Sequence, residues 1–549
     1  MKVILLCLVL GSVVGIAANL FVLGVAEIGS WRSSVAVGNI FIVFGMILLW
    51  LGGGWLAVMF IRKGFGISGW QGPAHVIHAA HDTQARLEGR AGGATLIASF
   101  ISLSSGASLG QYGPIVQMGA LCSSTLERLG MKPLLRPDVL IGCGVAAAIS
   151  AGFHAPLAGI LFSLEAILRH ISIRAVPPIA ISSVAAASVS GWLFDNTRLF
   201  AVSFPAPELL TEVPALLVAA PVFAASALMM LSLFFRTARY TPQQPFSLLS
   251  VLAIIGLAGL GTAMPSALGV GSDVIMDMVV SELTLMIFAS LLAAKLVAVM
   301  LSLYAGFSGG MFTPSLFIGA ATGGITAQLL AQLGFEVTPA LLVLAGMAAV
   351  SAPIIGAPFT AVILVLELTM SYEYAVGAML AVVICSFLCS LIFGPGLFDK
   401  QLILRGIDVS KGRGSLILSS RMVGDLVSDD YLVIDASLNA SDAIRTMAEA
   451  GMSEAYCVGS DGRLTGKLAL KDLIMAGEVQ VASCLNETFL SFDDRTSLEQ
   501  AITLASDFIG DAIPVTAHDT GVLLGVVSEA DIFSAYLKIT EQINQIEHG

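Results

Sequence analysis

Two stretches of this chain combine closely spaced glycines with a proline, and each is followed about forty residues later by an Ala-Pro pair that opens an apolar run. The first is Gly110-Gln111-Tyr112-Gly113-Pro114 with Ala155-Pro156, and the second is Gly309–Pro314 with Ala357-Pro358. Glycine permits sharp turns and proline suits the first turn of a helix, so each stretch predicts a helix that begins within apolar sequence. The unpaired N–H groups at such a helix start attract anions. Matching breaks in two halves of a membrane protein indicate a transport site near the bilayer midplane.

The candidate anion ligands are therefore the residues at the two predicted helix starts, which are Tyr112, Gly113, Met311 and Phe312. Several converging helix ends make a positive pocket without a buried lysine or arginine, and such a pocket holds an anion without trapping it. Any one break alone is better explained as a packing glycine or a kink. Their recurrence in two places favours the functional interpretation.

Composition supports a membrane protein with many spans. The chain has 549 residues, of which 56% are hydrophobic and only 12% are charged. Long apolar runs lie near residues 2–25, 35–60, 175–194, 211–235, 246–265 and 280–303. Shorter runs follow the breaks, at 114–128, 139–150, 155–168, 314–333, 339–350 and 357–370. Because most of these shorter runs cannot cross a bilayer, we expect broken helices that meet near the middle, in two related halves of inverted topology at about 1–200 and 205–400.

The tail has a different character. From Arg421 onward the chain carries 21 acidic and 7 basic residues, which leaves 17 acidic and 19 basic residues before it. Two copies of a strand and helix pattern end at Gly462–Ile474 and Gly521–Phe533 and resemble a tandem pair of CBS domains. We expect a membrane domain over 1–406, a linker over 407–420, and α/β CBS domains over 421–478 and 479–540.

Four motifs in the apolar part resemble the CLC family of chloride channels and transporters. They are GQYGPIVQMG at 110–119, GFHAPLAGILFSLE at 152–165, GFSGGMFTP at 306–314 and GAPFTAVILVLELT at 356–369. A weaker match, GLFDKQLILRG, lies at 396–406. The resemblance implies the inverted-repeat CLC fold and a homodimer with one anion pathway in each subunit.

Two departures from the family pattern bear on proton coupling. The family motif Gly-Lys/Arg-Glu-Gly-Pro carries a gating glutamate, and Tyr112 stands in its place. The second proton glutamate of family antiporters corresponds to Ala166. Tyrosine, with a reference pKa of about 10, is a poor proton shuttle at neutral pH, and alanine has no proton to move. The adjacent Glu165 is interpreted as a polar contact at a helix end rather than as a proton carrier.

Other positions of the pathway also follow from the resemblance. The family's central tyrosine corresponds to Phe398, which lacks the hydroxyl but keeps the ring as a narrow gate. The anion-coordinating serine of the family's Gly-Ser-Gly-Ile-Pro motif corresponds to Ser68 or, with an alignment on Pro73, to Trp70. For Tyr112 we expect either a hydroxyl that donates to the anion or a ring that plugs the outer pathway, in preference to an aromatic side chain packed at the interface.

Three weaker patterns remain. His75, His78, His81 and Asp82 have helical spacing suited to zinc, but a solvated face is the favoured interpretation and no metal site is predicted. Lys295 interrupts an apolar run, where a functional role and a role in packing or in a long-range field are equally expected. In the tail, Ser528 and Asp531 match the Ser/Thr-x-x-Asp pattern with which CBS domains hold a nucleotide ribose, whereas Ala469 replaces the serine in the first copy. An adenosine nucleotide and ligand-free dimerisation are equally expected.

We therefore predict a passive, proton-uncoupled channel or uniporter for chloride or a similar small anion, in a prokaryotic inner membrane with a cytoplasmic CBS tail. The alternatives are a proton-coupled chloride antiporter that uses another acid, transport of bicarbonate or nitrate, and, more distantly, a CBS-regulated divalent cation channel. A cation pathway needs carboxylates at the membrane centre, where this sequence has few. An enzyme is not expected, because the apolar part has no nucleophile–base pair or metal cluster.

Overall fold

The helices of the first half end and begin at the predicted glycine and proline breaks. The computed structural model describes residues 1–35, 38–81, 87–128, 135–194, 207–240, 246–281, 283–408, 414, 417–419 and 421–547. The first half contains α1 (Lys2–Val35), α2 (Ile40–Gly64), α3 (Pro73–His81), α4 (Gly89–Ser105), α5 (Tyr112–Arg128), α6 (Pro137–Phe153), α7 (Pro156–Phe162) and α8 (Val176–Phe194). A π-helical turn, Ser163–Leu168, continues α7.

The second half repeats this order of helices. It contains α9 (Leu209–Tyr240), α10 (Leu248–Ala263), α11 (Ser272–Val280), α12 (Leu285–Ala305), α13 (Phe312–Gln332), α14 (Pro339–Ile355), α15 (Pro358–Thr369) and α16 (Tyr372–Ile392), and α17 (Leu397–Ile403) follows. The starts of α5 and α13 are 200 residues apart, as are the ends of α4 and α12. Left-handed glycines, Gly106 and Gly306, end α4 and α12 at φ of 104° and 83°. The local backbone is therefore repeated as well as the helix order.

Helix length separates spanning helices from broken ones. Seven helices among the described residues are long and apolar enough to cross a membrane. The helices α4 to α7, α14 and α15 have 17 residues or fewer, whereas a span of the hydrocarbon core takes about 20. Most of these short helices start with a proline or glycine in their first turn, as the breaks predict. The expected fold class, a polytopic helical membrane protein with broken helices, is confirmed.

Residues 408 to 549 form a second compact unit. Its first part holds a helix, Ala440–Ala450, and an antiparallel pair of strands, β1 (Glu454–Val458) and β2 (Leu464–Ala469), followed by a helix, Leu470–Ala476. Its second part orders β3 (Phe492–Asp493), β4 (Ile513–Thr516) and β5 (Leu523–Val527) in one sheet, with helices Leu498–Ala505 and Glu529–Glu547. Each part has its own buried apolar cluster. This α/β tail matches the tandem pattern in the sequence.

Candidate anion pathway

The two glycine-rich breaks meet each other directly. The N–H of Gly110 donates to the carbonyl oxygen of Gly310 at 2.7 Å, and the N–H of Gly310 donates to the carbonyl oxygen of Gly110 at 2.7 Å. A Cβ on Gly310 would lie 2.9 Å from the backbone nitrogen of Gly113. Only glycine lets the two backbone segments approach each other this closely. The paired hydrogen bonds therefore fix the starts of α5 and α13 next to each other.

The two adjoining helix starts present N–H groups that have no acceptor in the part of the chain that the structure describes. Within the described residues, the backbone hydrogen bonds include none donated by Gln111, Tyr112, Gly113, Met311, Phe312 or Thr313. The hydroxyl oxygen of Thr313 is likewise buried without a hydrogen-bond partner. Unpaired N–H groups at a helix start carry partial positive charge and form a site for an anion. This geometry fits the chemistry that the breaks predict.

A small cavity lies where these helix starts converge. Its volume is about 30 Å³, enough for a water-sized species, which needs about 10–15 Å³. The cavity is lined by Pro73, Tyr112, Gly113, Val116, Ile149, Phe162, Gly310, Met311, Phe312, Ile355 and Phe398. Five of the predicted pathway residues thus share one cavity. Among the described residues, none that lines it is a carboxylate, a lysine or an arginine.

Tyr112 contributes its ring to this cavity, and its hydroxyl has a protein partner. The ring stacks on Phe153 with centroids 3.6 Å apart and meets Phe312 edge-on at 5.7 Å. Its hydroxyl donates to the carbonyl oxygen of Gly152 at 3.3 Å. Of the two roles expected for Tyr112, this arrangement favours a ring that narrows the pathway.

Replacing Tyr112 by phenylalanine should therefore leave anion flux within about twofold of the wild-type rate. The substitution removes one neutral hydrogen bond, worth about 1 kcal/mol, and keeps the stacked ring. Chloride efflux from proteoliposomes measures the rate. A fall in flux of tenfold or more, with normal protein yield, would show that the hydroxyl serves the anion.

Ser68 lies away from the small cavity. It is exposed in the loop between α2 and α3, and its carbonyl oxygen accepts a hydrogen bond from Nη2 of Arg62 at 3.1 Å. It lines a larger, open cavity of about 460 Å³ with Gln71, His75 and Glu88. The alternative residue, Trp70, donates its ring N–H to the carbonyl oxygen of Gly306 at 3.0 Å. Neither side chain joins Tyr112 and Phe398, so the coordinating serine stays a prediction.

The position expected for the second proton glutamate is buried and is occupied by alanine. Ala166 is 2% exposed and lies in the π-helical turn after α7. The carboxylate of the adjacent Glu165 accepts three hydrogen bonds from the start of α15. Two come from the N–H groups of Phe359 and Thr360, at 2.9 and 2.8 Å, and the third comes from the Thr360 hydroxyl at 2.8 Å. Glu165 therefore caps the start of α15, as its interpretation as a helix-end contact predicts.

The second half makes the equivalent contact with the first. The carboxylate of Glu367, at the end of α15, accepts hydrogen bonds from the N–H groups of Leu157 and Ala158 at the start of α7, both at 2.8 Å. Each of these two helices thus caps the other, which binds the halves together. The sequence analysis missed Glu367. Its signal was visible, because the Glu-ended motif occurs in both halves.

Phe398 is held in place by the first turn of α17. It is 9% exposed, and the next residue, Asp399, forms an ion pair with Arg169. Arg169 ends the π-helical turn in a left-handed conformation at φ 58°. The ion pair therefore ties the helix that carries Phe398 to the helix that carries Ala166.

Two histidines of the cluster near Pro73 have contacts with other protein groups. Nδ1 of His75 accepts from the N–H of Gly72, its Nε2 lies 2.7 Å from Nη1 of Arg405, and Nδ1 of His81 lies 2.8 Å from the carbonyl oxygen of Ile77. Asp82 lies outside the described residues. Among those described, no group of three or more His, Cys, Asp or Glu residues is placed to hold a metal.

In the tail, Ser528 and Asp531 contact each other. The Ser528 hydroxyl donates to Oδ2 of Asp531 at 2.6 Å, and the Asp531 N–H donates to the Ser528 hydroxyl at 3.2 Å. This pair begins the helix Glu529–Glu547 and is exposed. A ribose site at these residues stays a prediction. At the opposite end of β4, the Asp493 carboxylate contacts His518 at 2.5 Å and raises the pKa of His518.

Comparison with known proteins places both parts of the chain. The family model for voltage gated chloride channels matches residues 53–390, and the CBS domain model matches 423–478 and 481–538. The voltage-gated ClC-type chloride channel ClcB of Escherichia coli is 29% identical over 316 residues, which cover 56% of this chain and 74% of that protein.

Solved structures share the fold. A slow cyanobacterial Cl⁻/H⁺ antiporter superposes with a TM-score of 0.64 at 19% identity, over 74% of this chain and 98% of the other. A CLC-type fluoride/proton antiporter gives 0.58 at 20% identity, over 73% and 97%. A eukaryotic CLC transporter gives 0.61 at 16% identity, over 96% and 98%. The chain is an integral membrane protein of the CLC family, the voltage gated chloride channels and their transporter relatives, with two CBS domains in its tail.

Proposed function

We propose that this CLC protein is a passive, proton-uncoupled pathway for chloride or a similar small anion. One observation carries the proposal: the cavity at the two helix starts is lined mainly by apolar and aromatic side chains, next to helix-start N–H groups that have no backbone acceptor among the described residues, with Tyr112 where a gating carboxylate would be needed. An anion held by fixed dipoles needs no proton to leave. A mobile carboxylate, which competes with the anion and carries a proton, is missing from this lining.

The alternative is an antiporter that moves protons through another acid, and Glu165 is the obvious candidate. Three hydrogen bonds from the start of α15 hold its carboxylate. Glu165 therefore serves better as a cap than as a carrier.

Replacing Glu165 by glutamine is expected to lower the stability of the protein. Anion flux should remain independent of proton movement. Loss of charge-assisted hydrogen bonds at the start of α15 should cost about 1–2 kcal/mol. Thermal unfolding in detergent measures the loss, and proteoliposome efflux measures the flux. Glu367→Gln, which removes the mirrored cap at α7, is the matched control and should behave alike. Proton transport that is present in wild type and lost only in Glu165→Gln would establish Glu165 as a carrier.

A divalent cation channel fits the site poorly. Cations require oxygen ligands, usually carboxylates, whereas the donors here are N–H groups. The identity of the anion is proposed more broadly as chloride, bicarbonate or nitrate, since the lining selects for negative charge and small size. Phe398 contributes an aromatic ring to the cavity lining but no hydroxyl that could donate to the anion.

Assembly and location are proposed with the function. We expect a homodimer in an inner membrane, with the CBS tail in the cytoplasm. Large apolar side chains on α15 and α16 are exposed, namely Phe359, Tyr372, Phe387 and Leu391 at 60–71%. Lipid or a second copy must cover such a surface. An adenosine nucleotide at Ser528 and Asp531 is part of the same set of expectations.

The test of the proposed function is the zero-current potential across a planar bilayer that contains the purified protein. With a chloride gradient and a tenfold proton gradient imposed together, an uncoupled pathway reverses at the chloride equilibrium potential. A shift of that potential with the proton gradient would show coupled exchange. Substituting bicarbonate or nitrate for chloride on one side then ranks the anions.

A further inference from the structure

Arg32 lies in the last turn of α1, and among the described residues its side chain has no hydrogen-bond or ion-pair partner. Within the described residues it takes part in no hydrogen bond or ion pair, and its Nε is buried without an acceptor. A guanidinium group carries five N–H donors and stays charged. A charge in a membrane helix that the protein leaves uncompensated is a functional hypothesis.

Its guanidinium rests on the loop that leads to the anion cavity. A Cβ on Gly106 would lie 1.8 Å from Nη1 of Arg32, so the two groups pack as closely as the absence of a side chain allows. Gly106 itself has φ of 104°, which favours glycine. From Gly106 the loop runs through Gly110, which pairs with Gly310, to Tyr112.

A second loop joins this contact. The N–H of Gly269 donates to the carbonyl oxygen of Gly106 at 3.1 Å, and a Cβ on Gly269 would lie 3.7 Å from Nη2 of Arg32. On its other side, Gly269 accepts a hydrogen bond from Nζ of Lys295 at 2.8 Å, and Val270 accepts one at 3.3 Å. Arg32 and Lys295 therefore both contact the Gly269 loop.

No acid among the described residues pairs with either cation. The ion pairs of the membrane part that the structure describes involve Arg136 with Asp138 and Arg169 with Asp399. Lys295 is fully buried and donates to the carbonyl oxygens of Gly269 and Val270. The Arg32 guanidinium stays charged, and a positive charge with no paired carboxylate among the described residues attracts anions. Arg32, whose donors are unused, is the group positioned to bind one.

The sequence just before Tyr112 indicates a role for the charge of Arg32. The motif Gly-Lys/Arg-Glu-Gly-Pro has a basic residue immediately before its glutamate, and this chain has the uncharged Gln111 there. The segment from Gly106 to Tyr112 spans at most about 20 Å even when extended. Arg32 contacts the start of this segment, and Gln111 near its end is uncharged.

We propose that Arg32, backed by Lys295 behind the Gly269 loop, forms a capture site for small inorganic anions at the Tyr112 end of the pathway. The proposal rests on anion transport as the function and is independent of whether protons are coupled. The site raises the local anion concentration before the anion reaches the cavity. Lys295 is a positioning residue, because it holds the carbonyl groups of the Gly269 loop.

The test compares Arg32→Gln, Arg32→Lys and the control Lys63→Gln, which removes an exposed charge from the end of α2. Chloride efflux from proteoliposomes is measured against chloride concentration. Capture by charge predicts that Arg32→Gln raises the half-saturating concentration about tenfold, the low end of electrostatic focusing, with the maximal flux unchanged. Arg32→Lys should stay close to wild type, as should Lys63→Gln. Equal half-saturating concentrations in all four proteins would overturn the proposal.

Two further measurements keep the proposal falsifiable if Arg32→Gln does not fold. In wild type, a rise in ionic strength from an impermeant salt should raise the half-saturating concentration. In Arg32→Cys, modification after folding by a cationic methanethiosulfonate should increase flux at low chloride, and an anionic one should decrease it. The control is wild type treated with the same two reagents, because it carries the seven native cysteines but lacks the introduced one. Equal responses to both reagents, or no effect of ionic strength, would count against Arg32. Proton pumping by wild type would overturn the uncoupled function but leave these shifts intact.

Discussion

Replacing Gly310 by alanine is expected to reduce anion flux by at least about tenfold. The new Cβ would lie 2.9 Å from the nitrogen of Gly113, 3.2 Å from the Gly113 Cα and 3.2 Å from the carbonyl oxygen of Gly110. All three atoms belong to the backbone, so no side chain can rotate away. Overpacking at such a contact costs about 1–3 kcal/mol, and about 1.4 kcal/mol already corresponds to a tenfold change.

The strain of Gly310→Ala falls on the paired hydrogen bonds that hold the starts of α5 and α13 together. We expect those helix starts to separate and the anion site to lose its converging N–H groups. Chloride efflux and thermal unfolding are measured on the same preparation. The matched control is Gly53→Ala in α2, where a Cβ meets nothing within 4 Å. Wild-type flux in Gly310→Ala would contradict the role given to the glycine pair.

Replacing Tyr112 by alanine should have the opposite effect and raise anion flux by about tenfold, which corresponds to a barrier lower by about 1.4 kcal/mol. The Tyr112 ring lines a cavity of only about 30 Å³ and stacks on Phe153. An apolar constriction of this size opposes the passage of a hydrated ion. Truncation removes that ring and leaves the N–H groups of α5 and α13 in place.

The same truncation should lower stability, because loss of a buried aromatic ring costs about 3–5 kcal/mol. Flux per folded protein, normalised by size-exclusion chromatography, separates the two effects. Tyr112→Phe is the control that keeps the ring. Unchanged flux in a folded Tyr112→Ala protein would show that the narrow point of the pathway lies elsewhere, with Phe398 as the next residue to test.

The sequence predicted the membrane part well where glycine and proline determine the backbone. The breaks at 110–114 and 310–314 became the starts of α5 and α13, and the Ala-Pro pairs became the starts of α7 and α15. Apolar runs too short to span a bilayer became short helices. These features are local, because a proline or a left-handed glycine limits the backbone at its own position.

Contacts between the halves were harder to predict. Glu165 and Glu367 each end an apolar helix, but their partners lie about 200 residues away in the chain. The direction of the Tyr112 hydroxyl toward Gly152 depends on the stacking with Phe153, which sequence spacing does not encode. Ser68 was predicted by resemblance to a motif, and here that motif is interrupted by Trp70 and Gln71. Its loop faces a separate, open cavity.

The most direct test of proton-uncoupled transport is proton movement during chloride efflux from proteoliposomes that contain the wild-type protein. An outward chloride gradient is imposed without a proton gradient, and external pH and chloride are recorded together. The predicted result is downhill chloride efflux that needs a potassium ionophore to carry the compensating charge, with no uphill proton movement before or after the ionophore is added. Proton uptake at a fixed ratio to chloride, abolished by a protonophore, would contradict it and identify a coupled antiporter.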